Sequence, residues 1–199
     1  MGDSRPRYRR LRDCIQPGIL VLFVGINPGL RSAKTGHHFA GHSNRFWKLL
    51  HESELVDEAL THREDQRLPE WRLGLTNIID RCSAGIDVLD PDEYRQGVAT
   101  LKRKIRRYQP PILALLGVTI FRTLFSSKER SRDPIHLGPT SMQLAGARIF
   151  LLPNPSGRNA HYTYREMLTG FQSLRNIMAQ LPGNTRHSAP MASPSRRGP

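Results

Sequence analysis

The feature that most constrains the fold is an apolar run from Ile19 to Ile26 that ends in the turn Asn27-Pro28-Gly29. Its β-branched and aromatic residues, broken only by Gly25, predict a strand buried on both faces of a parallel sheet. The Pro-Gly bend leaves the Asn27 amide at the carboxyl end of this strand, where open α/β sheets bind their ligands. The sequence therefore predicts a site here, although the strand and turn of any α/β protein would share this pattern.

A loop and a helix follow the turn. The loop spans Gly36 to Gly41 and carries the large flat ring of Phe39. Asn44 then precedes apolar residues that recur at a period near 3.6, which predicts a helix from about Phe46.

A polar pair, Thr76 and Asn77, interrupts the second predicted strand, which runs from Leu73 to Ile79. A core strand would bury the Asn77 amide, and a buried amide needs hydrogen-bond partners. A strand-end asparagine bonded to the backbone and a polar residue that lines a pocket both meet this requirement.

Pro153 to Asn159, with the sequence PNPSGRN, connects the last predicted strand to the last predicted helix. Two prolines and a glycine make this loop rigid, and such a loop can direct backbone N–H groups at a phosphate. Arg158 projects from it. The same residue types also occur where a loop only caps a helix, so the motif alone leaves both interpretations open.

The alternation of buried strands and helices predicts a three-layer α/β/α sandwich with a mainly parallel central sheet. Glu52 to Trp71 is charged and irregular, and it is predicted to be a surface excursion with a short helix near Val56 to Leu60. The other expected elements are a helix over Asp90–Tyr108 with a solvated basic end at Lys102–Arg107, a strand over Ile112–Leu116, a helix over Val118–Phe125, a charged loop over Ser126–Pro139, a hairpin of Thr140–Leu144 and Arg148–Leu152, and a helix over Tyr164–Leu181.

Basic residues dominate the composition: 30 Lys+Arg against 17 Asp+Glu give a net charge of +13. This excess favours a polyanionic partner such as nucleic acid. Most of it is arginine, which suits phosphate oxygens but is also enriched by high genomic G+C content. Part of the charge lies in a basic arm over residues 1–16, disordered or lying along the phosphate backbone, and in a disordered tail over residues 182–199.

Residues 17–181 are expected to form a single domain. Because no apolar run approaches the ~20 residues of a membrane span and no signal-type stretch opens the chain, a soluble intracellular protein is expected, cytoplasmic or in the nucleoid if prokaryotic. Cys14 and Cys82 belong to no CxxC motif, and His37, His38 and His42 lack the spacing of a familiar metal site. Neither a metal nor a disulfide framework is therefore expected.

Two stretches resemble a known family. Residues 25–48, GINPGLRSAKTGHHFAGHSNRFWK, strongly resemble the first motif of the mismatch-specific uracil-DNA glycosylase and thymine-DNA glycosylase family, in which G-I-N-P-G carries the catalytic asparagine. Residues 154–157, N-P-S-G, resemble the second motif, and the residue after it is the wedge that enters the duplex where the flipped nucleotide leaves. That residue is Arg158 here, as in the thymine-directed branch. The resemblance extends from about Pro17 to Leu181.

The resemblance implies a uracil-DNA glycosylase-like fold and a monofunctional DNA glycosylase. Such an enzyme hydrolyses the N-glycosidic bond of uracil mispaired with guanine and so starts base excision repair. Thymine and oxidised 5-methylcytosine derivatives are also candidate substrates, since Asn77 and the His37-His38-Phe39 sequence match the thymine-directed branch with Phe in place of Tyr. The implied partner is double-stranded DNA with G·U or G·T mispairs, bound by a monomer without a cofactor.

The family pattern also implies roles for individual residues. Asn27 is the implied catalytic residue, which holds a water against the sugar C1′, and Phe39 would stack on the flipped base, although a ring in this loop could also anchor the core. The implied base pocket consists of Ile26, His38, Phe39, Asn44 and Asn77. The implied DNA-binding and wedge residues are Asn154, Ser156, Gly157, Arg158 and Asn159.

Two other classes compete with this interpretation. A non-catalytic module that recognises damage or mismatches would use the same basic cleft but would not require an amide at Asn27. A small nucleotide hydrolase is disfavoured because the sequence has neither a P-loop nor a carboxylate cluster for Mg²⁺.

Overall fold

Five strands form one sheet within residues 10–83, 85, 88–125 and 135–182, which the computed structural model describes. They are β1 (Val21–Gly25), β2 (Leu73–Asn77), β3 (Ile112–Leu116), β4 (Gly138–Leu144) and β5 (Ala147–Leu152), arranged in the order β2-β1-β3-β5-β4. All neighbouring pairs are parallel except β4 with β5, where β4 forms an antiparallel edge. Every residue of β1, β2 and β3 is buried, which accounts for their nearly continuous apolar sequences.

Helices cover both faces of this sheet. They are α1 (Leu30–Thr35), α2 (Phe46–Glu52), α3 (Pro91–Tyr108), α4 (Val118–Leu124) and α5 (Tyr164–Ala179), with a 3-10 helix over His62–Trp71. On one face the ring of Phe23 in β1 lies 5.3 Å from that of Phe46 in α2 and 6.1 Å from that of Phe171 in α5. The connection from β1 to β2 runs across the sheet in one direction, and the connection from β2 to β3 runs in the other. Because such crossovers are right-handed, α2 and α3 lie on opposite faces of the sheet. The predicted three-layer sandwich is confirmed.

Capping residues set the starts of the two long helices. Asp90 accepts a hydrogen bond from the Asp92 amide, and Glu93 completes a capping box at the start of α3. Thr163 and Glu166 form the equivalent box on α5. These signals are local in sequence, and the predicted positions of α3, β3 and the β4–β5 hairpin are confirmed.

The segment between α2 and β2 differs from its prediction. Val56–Leu60 is not helical, and the excursion is not confined to the surface, because Leu55, Val56, Leu60 and Leu68 are all buried. The helical part is instead the 3-10 helix, which the sequence does not mark with a clear apolar period. This helix packs against β2, the strand at the edge of the sheet.

Residues 10–14, assigned from sequence to the basic arm, lie against β2. Cys14 pairs with Leu75 through two backbone hydrogen bonds of 3.0 and 2.9 Å. Asp13 accepts a hydrogen bond of 2.7 Å from the Thr76 hydroxyl and forms an ion pair of 2.7 Å with Lys104. The expectation that Lys104 is solvated is therefore wrong, since its side chain is only 17% exposed.

Some predictions fall on residues outside the described part of the chain. These residues include 1–9 of the basic arm, 126–134 of the charged loop and 183–199 of the C-terminal tail. None of the described helices is both long and apolar enough to cross a membrane.

Candidate active site

A cavity of about 410 Å³ opens at the edge of the sheet where β1, β2, β3 and β5 end. Parallel strands bring their carboxyl ends to one edge, which is why residues far apart in sequence meet here. Of the residues singled out from sequence, those that line the cavity are Ile26, Asn27, His38, Phe39, Asn44, Asn77, Asn154, Ser156, Gly157 and Arg158. Asn159 does not line it.

Asn27 is oriented by three acceptors that contact its side-chain nitrogen. Nδ2 lies 2.8 Å from the Ser83 hydroxyl and 3.3 Å from the backbone oxygens of Arg81 and Pro28. The Ser83 hydroxyl itself donates to the Gly85 carbonyl, so its oxygen accepts from Asn27. Because backbone carbonyls only accept, the nitrogen must face them. The Oδ1 oxygen makes no hydrogen bond to the described residues and is available to a ligand or a water.

The turn that carries Asn27 is joined to the segment after β2. The Ile79 amide donates to the Ile26 carbonyl at 2.8 Å, and the Ser83 amide donates to the Pro28 carbonyl at 3.2 Å. We call residues 26–29 together with residues 78–83 the Asn27 wall. Hydrogen bonds between residues more than 50 positions apart in sequence thus fix the backbone around the asparagine.

An ion pair on the outer side of the Asn27 wall holds it to α3. The Arg81 guanidinium lies 2.6 Å from the Glu93 carboxylate, and the same residue offers its carbonyl to Asn27. Two hydrogen bonds lower the pKa of Glu93 to about 2: the larger effect comes from the Arg81 side chain and the smaller from the Asp90 amide.

Gly25 makes room for the Asn77 side chain. A Cβ atom at position 25 would lie only 2.4 Å from Asn77 Oδ1, so this strand position has to be a glycine for the amide to lie over it. The Asn77 side chain forms no hydrogen bond to the described residues, although the residue is only 7% exposed. Its polar atoms face the cavity, where a ligand with donor and acceptor groups could bind them.

Phe39 forms another side of the cavity. Its backbone is in the left-handed region, with φ of 51°, and its half-buried ring lies 4.3 Å from the ring of Phe46 at 31°. The preceding His38 is buried, and burial lowers the pKa of its imidazole. The neutral ring donates from Nε2 to the Arg12 carbonyl at 2.8 Å. Only Phe39 of this pair presents a large face toward a ligand.

The loop over residues 153–159, which we call the Arg158 wall, lies across the cavity and is braced by its own polar groups. Asn154 Oδ1 accepts from the Ser156 amide at 3.0 Å, and the Ser156 hydroxyl accepts from the Arg158 amide at 3.3 Å. Asn159, outside the cavity, donates from Nδ2 to the Asn154 carbonyl at 2.8 Å. Asn159 therefore stabilises the conformation of the loop.

Two contacts fix the Arg158 wall to the start of α2. The Arg45 amide donates to the Pro155 carbonyl at 2.9 Å. Gly157 packs so closely on Ser43 that a Cβ atom would lie 2.3 Å from its side chain and 2.6 Å from its carbonyl oxygen. A larger residue at position 157 would therefore shift the loop.

Sequence patterns did not reveal several residues of the cavity. Ser83 lies in a polar stretch after β2 that has no turn or helix signal, and its contact with Asn27 depends on the fold. Leu11 lies within the basic arm, and Ser32 follows the Asn27 turn inside α1, where its hydroxyl accepts from the Ala40 amide at 3.1 Å. None of the described residues that line the cavity is a carboxylate.

One buried cluster has the chemistry of metal ligands. Cys14, His38 and Asp65 place one ligand atom each within 4.8 Å of one another. Their polar atoms already have protein partners, since Gln66 donates to Cys14 Sγ at 3.0 Å and the His38 amide donates to Asp65. Burial also raises the pKa of the Cys14 thiol, which disfavours the thiolate that a metal needs. We interpret this cluster as part of the hydrogen-bonded core.

Comparison with known proteins gives the chain a family. The family model described as Uracil DNA glycosylase superfamily matches residues 13–181, which is most of the chain and includes both walls of the cavity.

Proposed function

Because the chain belongs to the uracil DNA glycosylase superfamily, and is therefore a DNA glycosylase, we propose that it is a monofunctional enzyme of the mismatch-specific type. It hydrolyses the N-glycosidic bond of uracil mispaired with guanine and starts base excision repair. Its substrate is double-stranded DNA, which it binds as a monomer.

The orientation of Asn27 carries this proposal. With Nδ2 held by Ser83, Arg81 and Pro28, the Oδ1 oxygen faces the cavity and can accept a hydrogen bond from a water. The amide has no useful pKa, so it positions that water against the sugar C1′ and does not act as a strong base. As the bond between C1′ and the base nitrogen breaks, the base leaves as an anion with the electron pair and the water oxygen bonds to C1′. The water then loses one proton to solvent, and the released base takes up a proton from solvent. Fixed dipoles and nearby phosphates stabilise the separated charges.

Asn77 and Phe39 form the site for the flipped base. The Asn77 amide can accept from uracil N3–H and donate to O4, while the base stacks on the Phe39 ring. Thymine presents the same two groups, so this contact does not discriminate between the two bases. We therefore include thymine and oxidised 5-methylcytosine derivatives opposite guanine among the candidate substrates.

The Arg158 wall meets the duplex. Arg158 is exposed at the rim of the cavity, and the net charge of +13 favours the phosphate backbone. In the proposed complex its side chain fills the space left by the extruded nucleotide, and the groups around Gly157 contact the orphaned guanine. A mispaired base leaves the stack more easily, which contributes to selectivity.

The test uses end-labelled duplexes that contain G·U, G·T, A·U or G·C at one position, and a single strand that contains uracil. Each is incubated with the wild-type protein and then with alkali, which cleaves at abasic sites. We expect cleavage of the G·U duplex above that of A·U, with none of G·C. Binding to the G·U duplex without cleavage would contradict the proposal and favour the non-catalytic mismatch-recognition module.

A matched pair of variants excludes a contaminating glycosylase. Asn27→Ala removes the Asn27 amide from the cavity, whereas Asn176→Ala removes an exposed amide on α5, on the far side of the helix from its buried residues. The proposal predicts that only the first variant loses cleavage.

A further inference from the structure

The 3-10 helix over His62–Trp71 contributes a buried carboxylate to the core beside the cavity. Asp65 has no exposed surface, although neither it nor any other residue of this helix lines the cavity. A buried carboxylate is costly unless its oxygens are hydrogen-bonded. Both oxygens of Asp65 have partners in the loop that carries Phe39.

The contacts of Asp65 are with the two residues that precede Phe39. Oδ2 accepts from the His38 amide at 2.9 Å, and Oδ1 lies 3.1 Å from His37 Nδ1. Removing the carboxylate would leave the buried His38 amide without its acceptor, which is more disruptive than the loss of an exposed hydrogen bond.

The loop around Phe39 needs stabilising contacts because the backbone conformation of Phe39 is strained. A bulky residue at φ of 51° is strained and persists only where the surroundings enforce it. Other contacts of the loop join the His38 ring to the Arg12 carbonyl at 2.8 Å, the Trp47 indole N–H to the His38 carbonyl at 3.2 Å and the Ala40 amide to the Ser32 hydroxyl at 3.1 Å. Asp65 is the carboxylate of this set, and it binds the backbone amide of the residue that precedes Phe39.

We infer that Asp65 is a positioning residue that keeps Phe39 preformed as the surface on which the flipped base stacks. The inference rests on the proposed function, because it assigns the base to Phe39. A ring that is ordered before binding avoids the entropy cost of ordering it in the complex. A carboxylate outside the cavity would thus contribute to base recognition without touching the base.

The first measurement is amide hydrogen exchange of residues 36–40 in the wild type, Asp65→Asn and Asp65→Ala. Asparagine keeps one acceptor oxygen for the His38 amide, whereas alanine keeps none. We expect exchange of this segment to be fastest in the alanine variant, by at least about tenfold over the wild type, and intermediate in the asparagine variant. Asp57→Asn is the matched control, since Asp57 is an aspartate that accepts from the Trp71 indole within the same excursion.

The second measurement is single-turnover excision by Asp65→Asn, Phe39→Ala and the double variant. If Asp65 acts through Phe39, its substitution lowers excision in the wild-type background by about tenfold but adds nothing when Phe39 is already alanine. A purely structural role would instead multiply the two losses. Asp57→Asn should leave excision unchanged.

The two measurements separate the possible failures. Unchanged exchange in both Asp65 variants, or losses in excision that multiply, would overturn the inference while leaving the glycosylase assignment intact. Absence of any excision by the wild type would contradict the proposed function, and the inference with it, whereas the exchange data would still show whether Asp65 holds the loop. Should Asp65→Ala fail to fold, Asp65→Asn and the double variant carry the test.

Discussion

The two walls of the cavity are held by different kinds of contact. In the Asn27 wall, the turn over residues 26–29 is held by residues 78–83, which are distant from it in sequence, and the ion pair of Arg81 joins this wall to α3. The Arg158 wall is one continuous loop that is braced by hydrogen bonds among its own residues and by contacts with the start of α2, and it carries an exposed arginine. A group that positions a reactant needs a fixed geometry. A side chain that enters DNA needs a rigid loop to support it and must itself reach the duplex. The difference therefore matches the roles we propose for the two walls.

Of the substitutions that test this difference between the two walls, Ser83→Ala is expected to reduce activity most. The hydroxyl provides the shortest contact to Asn27, so its removal lets the amide rotate away from the orientation that exposes Oδ1. We expect single-turnover excision of a G·U duplex to fall by about 10²-fold, the scale of a small misplacement in an active site. Binding of the duplex should not change, and Ser141→Ala on the exposed face of β4 is the control.

An excision rate in Ser83→Ala equal to that of the wild type would mean that the Asn27 orientation does not depend on this hydroxyl. The contacts that distinguish the Asn27 wall from the Arg158 wall would then have no role in positioning Asn27.

A smaller effect, confined to duplex substrates, is expected for Arg158→Ala. Since only a duplex has a gap to fill after extrusion, excision from the G·U duplex should fall roughly tenfold while excision from single-stranded uracil changes little. Arg106→Ala, an exposed arginine at the distal end of α3, controls for the loss of one positive charge. Equal losses on both substrates would make Arg158 a simple phosphate contact.

The smallest effect is expected for Glu93→Gln, measured as the free energy of unfolding in urea. The glutamine keeps an oxygen for the helix cap but loses the ion pair with Arg81. Because both side chains are partly exposed, we expect a loss of no more than about 1 kcal/mol at pH 7. The lowered pKa of Glu93 means that this contribution is complete above its ordinary value of 4.5 and disappears as the pH falls toward about 2.

Glu166→Gln is the matched control for that measurement, because Glu166 caps α5 in the same way and pairs with no cation among the described residues. A loss in Glu93→Gln that does not shrink in acid would show that the ion pair does not stabilise the Asn27 wall.

The sequence was most informative where a signal is local. The apolar runs predicted β1, β2 and β3, and the acidic cap predicted the start of α3, because burial and capping act on neighbouring residues. Asn27 could be picked out because the strand end and the Pro-Gly turn are adjacent to it. The proposed roles of the cavity residues came from the family resemblance and remain predictions.

Residues whose place depends on long-range contacts could not be found in this way. Ser83 meets Asn27 across 56 positions, and Asp65 meets His38 across 27. Lys104 lies in a basic helical turn that predicts solvent exposure, yet its partner Asp13 lies far from it in sequence, near the start of the chain. Pairing of this kind follows from the order of the strands in the sheet, which periodicity does not specify.

The most direct test of the central claim compares single-turnover excision by the wild type, Asn27→Ala and Asn27→Asp on one G·U duplex between pH 5 and 9. Asn27→Ala should lose about 10²–10³-fold in rate with duplex binding nearly unchanged, because it removes the oxygen that holds the water.

Asn27→Asp keeps an oxygen for the water but turns a carboxylate toward the carbonyls of Pro28 and Arg81, which raises its pKa. Its rate should therefore exceed that of the alanine variant and rise with pH until the carboxylate is ionised. Excision by Asn27→Ala at the wild-type rate, or by Asn27→Asp at the alanine rate at every pH, would contradict the assignment of Asn27 as the residue that positions water.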